Sequence, residues 1–457
     1  MTPLAELARR AFAAGLAAVN PRAVMEKLEF LPEGFRFGGH TFAPAGKLVV
    51  VAVGKAGATM AGAFLGRCPR PADEVFIYVP YGSPVPAAVA PYTRFGSHPG
   101  VAPENAVQTA ALLELLSGLH PADGVVLLLS GGASALLSLP LPGLEIDVLD
   151  RLTGELLRRG ASIYQLNTVR KHLSLALGGR LAARCPGMLF TLVLADVPLP
   201  ELHMVGSGPT LADPTTRLEA LAVLERFGLI EEFPAAVAFL HQPAWETPKP
   251  GDPALGRSIT KLLGSNGEAL TAVARELAAE GFRVQLLTRF LRGEARSVGR
   301  LLGAMVAAAS PGAAFLAGGE TTVQVRGSGV GGRNLELALA ASLPLAGHEH
   351  RCLLAAATDG KDGTSPAAGA VVDGQTLQRA LKAGRDPLVA LEKNDAWGFF
   401  VGQPEAIVTG PTGTNVADLV IALVAPRPAE TVPRRARTLG LPVLASSGAT
   451  KPPGGGR

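Results

Sequence analysis

Short runs of Val, Ile, Leu and Ala, closed by glycine or a small polar residue, constrain this chain more than any other feature. Lys47–Val53 (KLVVVAV), Val75–Val79, Val125–Leu129 and Leu189–Ala195 lie in the first half; Ala313–Ala317, Leu353–Ala357 and Ala406–Val408 lie in the second. Unbroken apolar runs of this length are the pattern of strands buried on both faces. Helical stretches separate them, such as Asp147–Arg159, which Gly160 terminates. Buried strands alternating with helices predict an α/β fold with largely parallel sheets. The stretch from Phe233 to Arg257 holds five prolines and little periodicity. It predicts two α/β domains, 1–240 and 258–430, joined by a linker at 241–257, with a C-terminal segment 431–457 whose end after 449 is expected to be frayed.

Composition removes several classes. A formal charge of +4 on 457 residues, with no basic block, argues against a nucleic-acid partner. Cys68, Cys185 and Cys352 are odd in number and far apart, which excludes a cysteine zinc module or disulfide scaffold and fits a reducing, cytoplasmic setting. Gly124–Leu144 carries no charge and is long enough to span a bilayer, but Ser130-Gly131-Gly132-Ala133-Ser134 interrupts it and Pro140 and Pro142 close it. A strand, a glycine turn and a short helix explain that run better than a membrane span. Arg9-Arg10 before an apolar run faintly resembles an export signal. An amphipathic helix accounts for it better, with Leu4, Leu7, Ala8, Ala11 and Phe12 on one face and Glu6, Arg9 and Arg10 on another.

The residues that follow the strands carry the chemistry. They are Gly54-Lys55-Ala56-Gly57, the Ser130–Ser134 turn, Asp196, Gly318-Gly319-Glu320-Thr321-Thr322, Thr358-Asp359-Gly360 and Thr409–Asn415. Ligands of parallel sheets bind beyond the carboxyl ends of the strands, so these clusters predict one composite site facing across two domains. Arg326-Gly327-Ser328-Gly329-Val330-Gly331-Gly332-Arg333-Asn334, before the helical pattern Leu335–Leu343, reads as a backbone cradle for phosphate with Asn334 as cap, or as a flexible hairpin after a strand Thr322–Arg326. Gly54-Lys55-Ala56-Gly57 lacks the G-x-G-x-x-G spacing, and no G-x-x-x-x-G-K-[ST] occurs. Lys55 reads either as a phosphoryl contact or as a surface lysine. Asn167–Leu177 reads as a helix whose stripe Asn167, Arg170, Lys171 and Ser174 is either solvated or lines an anionic substrate's pocket, Arg170 gripping a carboxylate. Asp196, Glu320, Asp359 and Asp362 are candidates for Mg2+ or for a base. His98, His172 and His203 lack metal-ligand spacing, and Ser130 is not in a nucleophile elbow.

The segments V-G-K-A-G (53–57), L-S-G-G-A-S-A-L-L (129–137), N-T-V-R-K-H-L-S (167–174), G-S-G-P-T-x-x-D-P-T-T (206–216), G-G-E-T-T-V-x-V-R-G-x-G-x-G-G-R-N (318–334), T-D-G-x-D-G (358–363) and G-P-T-G-T-N-V-x-D-L (410–419) resemble the glycerate 2-kinase family, in order and over nearly the whole chain. The resemblance implies a larger Rossmann-like N-terminal domain, a smaller C-terminal MOFRL domain and a site in the cleft between them. It implies phosphorylation of D-glycerate at the 2-hydroxyl with ATP and Mg2+, with the residues matching Lys55 and Arg333 as the catalytic pair. Three positions depart from the family's pattern: Leu177, Leu199-Pro200-Glu201 and Thr364-Ser365-Pro366 stand where a base and two acids are usual.

The reading expects Lys55, Arg333, Asp196 and Asp359 to be catalytic. Ser130, Gly131, Gly132, Ser134 and Arg170 are expected to hold substrate. Gly318, Gly319, Glu320, Thr321, Gly327, Gly329, Gly331, Gly332, Asn334, Thr412, Gly413 and Asn415 are expected to hold ATP, and Asp196 with Glu320 the metal. An NAD(P)-dependent hydroxypyruvate reductase, or a kinase for a related hydroxy acid, is the alternative. A homo-oligomer stays open; no membrane partner is expected.

Overall fold

The computed structural model describes residues 2–195 and 199–426. Asp196 and the segment 431–457 lie outside the described residues.

A small antiparallel sheet, β1 (Glu29–Leu31), β2 (Gly34–Phe37) and β3 (His40–Phe42), precedes the first large sheet. That sheet contains β4 (Leu48–Val53), β5 (Glu74–Pro80), β6 (Thr93–Gly96), β7 (Gly124–Ser130), β8 (Met188–Ala195) and β9 (Ser258–Ser265). Its order is β6-β5-β4-β7-β8-β9 and every pairing is parallel. Strands β4 and β7 are buried along their whole length, as their unbroken Val and Leu runs require. The order reverses between β4 and β7, which is the switch point of a Rossmann-like sheet and the usual ligand crevice.

The second large sheet contains β10 (Arg283–Leu291), β11 (Ala313–Gly319), β12 (Arg351–Ala357), β13 (Gly369–Asp373), β14 (Ala406–Ile407) and β15 (Asp418–Val424). Its order is β10-β11-β15-β12-β13-β14. Only β10 and β11 run parallel; the other pairings are antiparallel. The expectation of parallel strands therefore holds in the first sheet and is corrected in the second. Strand β15 starts level with the ends of β11 and β12 and runs back between them, with Asp418 opposite both Gly319 and Ala357. Strand β13 follows β12 through a loop without a crossover helix, which allows only an antiparallel pair.

The two lobes do not divide where the prolines suggest. Ser258–Ser265 is the last strand of the first sheet, paired with β8. The expected linker is folded onto the first lobe: Glu246 bonds His172 at 2.9 Å, and Thr247 bonds Asp213 at 3.1 Å. The helix Pro3–Ala18 buries Ala5, Leu7, Ala8, Ala11 and Phe12, close to the predicted face, but packs on the helix Asn266–Ala279 and β12 of the second lobe. Arg9 is not a solvated charge; its Nη2 donates to the carbonyls of Pro404, Glu405 and Ala406. As predicted, Gly124–Leu144 resolves into β7, a glycine turn and the short helix Ala133–Leu136. No helix of the described residues is long and apolar enough to cross a membrane.

Candidate active site

Lys55 leaves the end of β4 in a turn that only glycine permits. Gly54 has φ +114°, and a Cβ there would lie 2.5 Å from both the carbonyl oxygen and Oγ of Ser130. The Lys55 amide donates to the carbonyl of Gly131 (2.9 Å), and the Ala56 amide donates to Ser130 Oγ (3.0 Å). Ser130 and Gly131 are buried. Expected as substrate contacts, these two residues brace the lysine turn. Gly132 and Ser134, partly exposed, remain at the surface of the switch point. Ser207 Oγ lies 3.0 Å from Ser134 Oγ and 3.0 Å from Asn167 Oδ1, which ties this turn to the helix Ile163–His172.

That helix ends at His172, earlier than expected, and its polar stripe is neither solvated nor open. Asn167, Lys171 and Ser174 are all buried. Lys171 Nζ pairs with Asp213 at 3.2 Å inside the lobe. Arg170 is the exception. Partly buried, it donates from Nε to Thr153 Oγ1 at 3.4 Å, and burial lowers its pKa to about 10 against the pull of Asp150, so it remains a cation at neutral pH.

The second lobe meets the lysine directly. Lys55 Nζ donates to Asp359 Oδ2 at 2.7 Å, and the Lys361 amide donates to Asp359 Oδ1 at 3.1 Å. Beside this contact Thr59 Oγ1 donates to the carbonyl of Gly413 at 2.5 Å. Thr412 Oγ1 donates to the carbonyl of Thr358 (2.5 Å), and buried Asn415 accepts from the Ala417 amide (3.4 Å). Thr412, Gly413 and Asn415, expected as nucleotide contacts, therefore use these groups to join the lobes and shape the Asp359 loop.

Arg333 opens the helix Arg333–Leu345. Its Nε and Nη2 grip Asp418 at 2.5 and 2.9 Å, a two-pronged geometry, and Nη1 pairs with Glu320 at 2.9 Å. Burial alone would lower its pKa, but Asp418 and then Glu320 outweigh that and hold it above the usual arginine range. Glu320, expected as a metal ligand, is thus engaged by the arginine. Asp359 lies two positions past Ala357, whose partner across the sheet is Asp418, so Lys55 and Arg333 both pair with acids at one end of the second sheet.

The glycine loop is not an open cradle. The Gly327 amide donates to Asn394 Oδ1 (2.9 Å), Gly329 to the Lys393 carbonyl (2.9 Å) and Gly331 to Thr364 Oγ1 (3.3 Å). Buried Asp362, not Asn334, caps the helix, accepting from the amides of Asn334 (3.1 Å) and Leu335 (2.8 Å). A Cβ on Gly332 would strike Asp362, and one on Gly318 would strike Asn266. These glycines make room for neighbouring chain, and protein already occupies the donors expected to hold phosphate. Gly319 ends β11 opposite Asp418, and Thr321 is buried. Thr322–Arg326 forms an isolated bridge at Thr322 rather than a strand.

Two residues of this region were missed. His98 follows β6, and its Nε2 would lie 3.1 Å from a Cβ placed on Gly132, with Lys55 Cγ at 3.4 Å. It does follow a strand end, like the other clusters, but Thr-Arg-Phe-Gly is no apolar run, so the strand was not legible. Asp418 begins a strand instead of ending one, and its pairing with Arg333 leaves no trace in spacing.

Two α/β lobes thus bring a lysine at the switch point of one sheet and a doubly held arginine at the strand ends of the other onto acids of the second lobe. Residues 7–241 match the family described as Domain of unknown function (DUF4147), and residues 313–418 match the MOFRL family. The D-glycerate 2-kinase of Thermotoga maritima is 39% identical over 392 residues, covering 83% of this chain and 91% of that protein. A protein of Agrobacterium vitis named putative hydroxypyruvate reductase is 36% identical over 430 residues, 92% of this chain and 94% of that one. The crystal structure of glycerate kinase from Thermotoga maritima aligns with a TM-score of 0.78 at 34% identity, covering 92% of this chain and 99% of that one. The chain belongs to the glycerate 2-kinase family.

Proposed function

We propose that this chain transfers the terminal phosphate of ATP to the 2-hydroxyl of D-glycerate, in the cleft between its lobes, giving 2-phosphoglycerate and ADP. The observation that carries the reading is the Lys55–Asp359 contact at the switch point, in a chain 39% identical to a D-glycerate 2-kinase.

Lys55 neutralises the transferring phosphoryl group once the nucleotide draws it from Asp359. Arg333, its orientation fixed by Asp418, stabilises the charge that spreads over the phosphoryl oxygens. An arginine in that position is worth about 10³–10⁵ in rate, roughly 4–7 kcal/mol of barrier. Gly132, Ser134 and Arg170 hold glycerate, Arg170 facing its carboxylate. Mg2+ in such sites needs only one or two protein carboxylates beside the phosphates, and the partly exposed Asp359 meets that need. When bound, the ion neutralises charge on the phosphate oxygens. Asp196 is a second candidate ligand by position in the sequence.

The test is ADP release measured with D-glycerate and Mg-ATP, followed by identification of the 2- or 3-phosphate. The name carried by the Agrobacterium vitis relative motivates a second arm, oxidation of NADH or NADPH by hydroxypyruvate. Nicotinamide oxidation without ADP release would replace the kinase reading with the reductase.

A further inference from the structure

His98 is the histidine of this region whose chemistry nothing else uses. His172 is buried and bonded through both ring nitrogens, to the Thr168 carbonyl at 2.8 Å and to Glu246 at 2.9 Å. His98 is partly buried, and among the described residues neither of its ring nitrogens has a hydrogen-bond partner. Its Nε2 edge lies over the bare backbone of Gly132, where a Cβ would come within 3.1 Å of Nε2 and 3.2 Å of Cδ2. The lysine stem flanks the same spot, with Lys55 Cγ at 3.4 Å. An uncommitted acceptor therefore stands at the switch point, beside the cation expected to hold phosphate and the turn expected to hold substrate.

Asp359, the carboxylate considered for a base, is engaged by Lys55 at 2.7 Å in the free chain and is the carboxylate given to the metal in the reading above, so it is poorly suited to that task. We propose that His98 is a further catalytic residue, whose Nε2 accepts the proton of the substrate's reacting hydroxyl. This rests on the hydroxy-acid kinase reading above. As the hydroxyl oxygen bonds to the terminal phosphorus of a nucleoside triphosphate, the bond from that phosphorus to its bridging oxygen breaks. That electron pair leaves on the nucleoside diphosphate, the hydroxyl proton passes to Nε2, and the imidazolium later releases it to water.

The surroundings keep the ring ready for this. Burial first, then the charges of Lys55 and Arg170, push the His98 pKa down to about 4, with Asp359 opposing. The ring is neutral and accepting at pH 7. An anionic substrate and a polyphosphate offset Lys55 and Arg170, so the part of the shift those charges cause is relieved when both reactants are in place, while burial remains.

Two variants and one spectrum test the role. His98→Ala and His98→Gln should each lower kcat by about 10²–10⁴-fold with KM for D-glycerate changed only a few-fold. Both should melt cooperatively, imidazole should restore part of the Ala variant's turnover, and the acid limb of the kcat–pH profile should vanish in both. A kcat within threefold of the parent, or a loss that imidazole does not relieve and that keeps the acid limb, overturns the assignment. In histidine-labelled parent enzyme, D-glycerate alone should move the His98 Nε2 resonance, while 3-hydroxypropanoate, which lacks the 2-hydroxyl, should not. Equal shifts with both acids overturn the assignment even if the parent enzyme releases no ADP, an outcome that would sink the kinase reading separately.

Discussion

Lys55 and Asp359, 304 positions apart, meet with Nζ 2.7 Å from Oδ2 and so join the end of β4 in one lobe to the end of β12 in the other. The lysine side chain is 34% exposed, so solvent screens the pair and its net worth to stability is about 0–1 kcal/mol. The arrangement matters for position instead. Lys55→Met is expected to cut kcat with D-glycerate at least about 10³-fold, the scale of a cationic contact on a transferring phosphoryl group. Its urea midpoint should hardly move. A variant retaining a tenth of parental turnover would remove Lys55 from the chemistry.

Arg333 behaves differently because its partner is buried. Removing the guanidinium leaves Asp418, 5% exposed, without its two-pronged partner. Arg333→Ala should therefore lose turnover and also about 3–5 kcal/mol of stability, the usual cost of breaking a buried pair. Adding Asp418→Asn should recover most of the stability and none of the activity. Were the single variant as stable as the parent, the pairing with Asp418 would be energetically idle.

Legibility followed burial. Strands β4, β7 and β8 carry continuous apolar runs because both faces are covered, so the first sheet and its switch point could be read directly. Strand β10 (RVQLLTRFL) is largely exposed and β6 is four residues long, so neither has such a signature. Strand direction in the second sheet depends on which edges pair, and no run of residues encodes that. Lys55, Asp359 and Arg333 were legible as polar residues at strand ends and helix starts. Asp418 was not, and Asp362 was read as a metal or base candidate rather than a helix cap, since both reach their partners across distant sequence. The glycine loop misled for a related reason: glycine permits close approach, and here the approaching groups are Asn394, Lys393, Asp362 and Thr364 of the protein itself.

Lys171 exemplifies a charge that the pattern placed on the wrong side of the surface. It is fully buried, and Asp213 also accepts from the Thr215 amide (3.0 Å), Thr215 Oγ1 (2.7 Å) and Thr247 Oγ1 (3.1 Å). Lys171→Met would leave a buried carboxylate with neutral donors alone, at a cost of about 3–5 kcal/mol. Lys171→Met with Asp213→Asn should cost less than the single change. Chemical denaturation of the three proteins checks this, and equal stability of the parent and the single variant would contradict it.

Asp362 gives the stability a pH dependence of definite sign. It is buried beneath the helix Arg333–Leu345, and burial, opposed first by the Leu335 amide, pushes its pKa from 3.8 up to about 7. The folded protein thus keeps a proton that the unfolded chain releases. The contribution of this group is fully present below about pH 4 and is lost as pH rises through about 7. Asp362→Asn cannot titrate there and keeps one acceptor for the helix amides. The unfolding free energy of the parent minus that of Asp362→Asn, from chemical denaturation, should therefore be largest near pH 4 and fall steadily to pH 8, a change on the order of a few kcal/mol. A difference that grows over the same range would mean that the helix amides hold Asp362 ionised, and that capping outweighs desolvation at the entrance to the Arg333 helix.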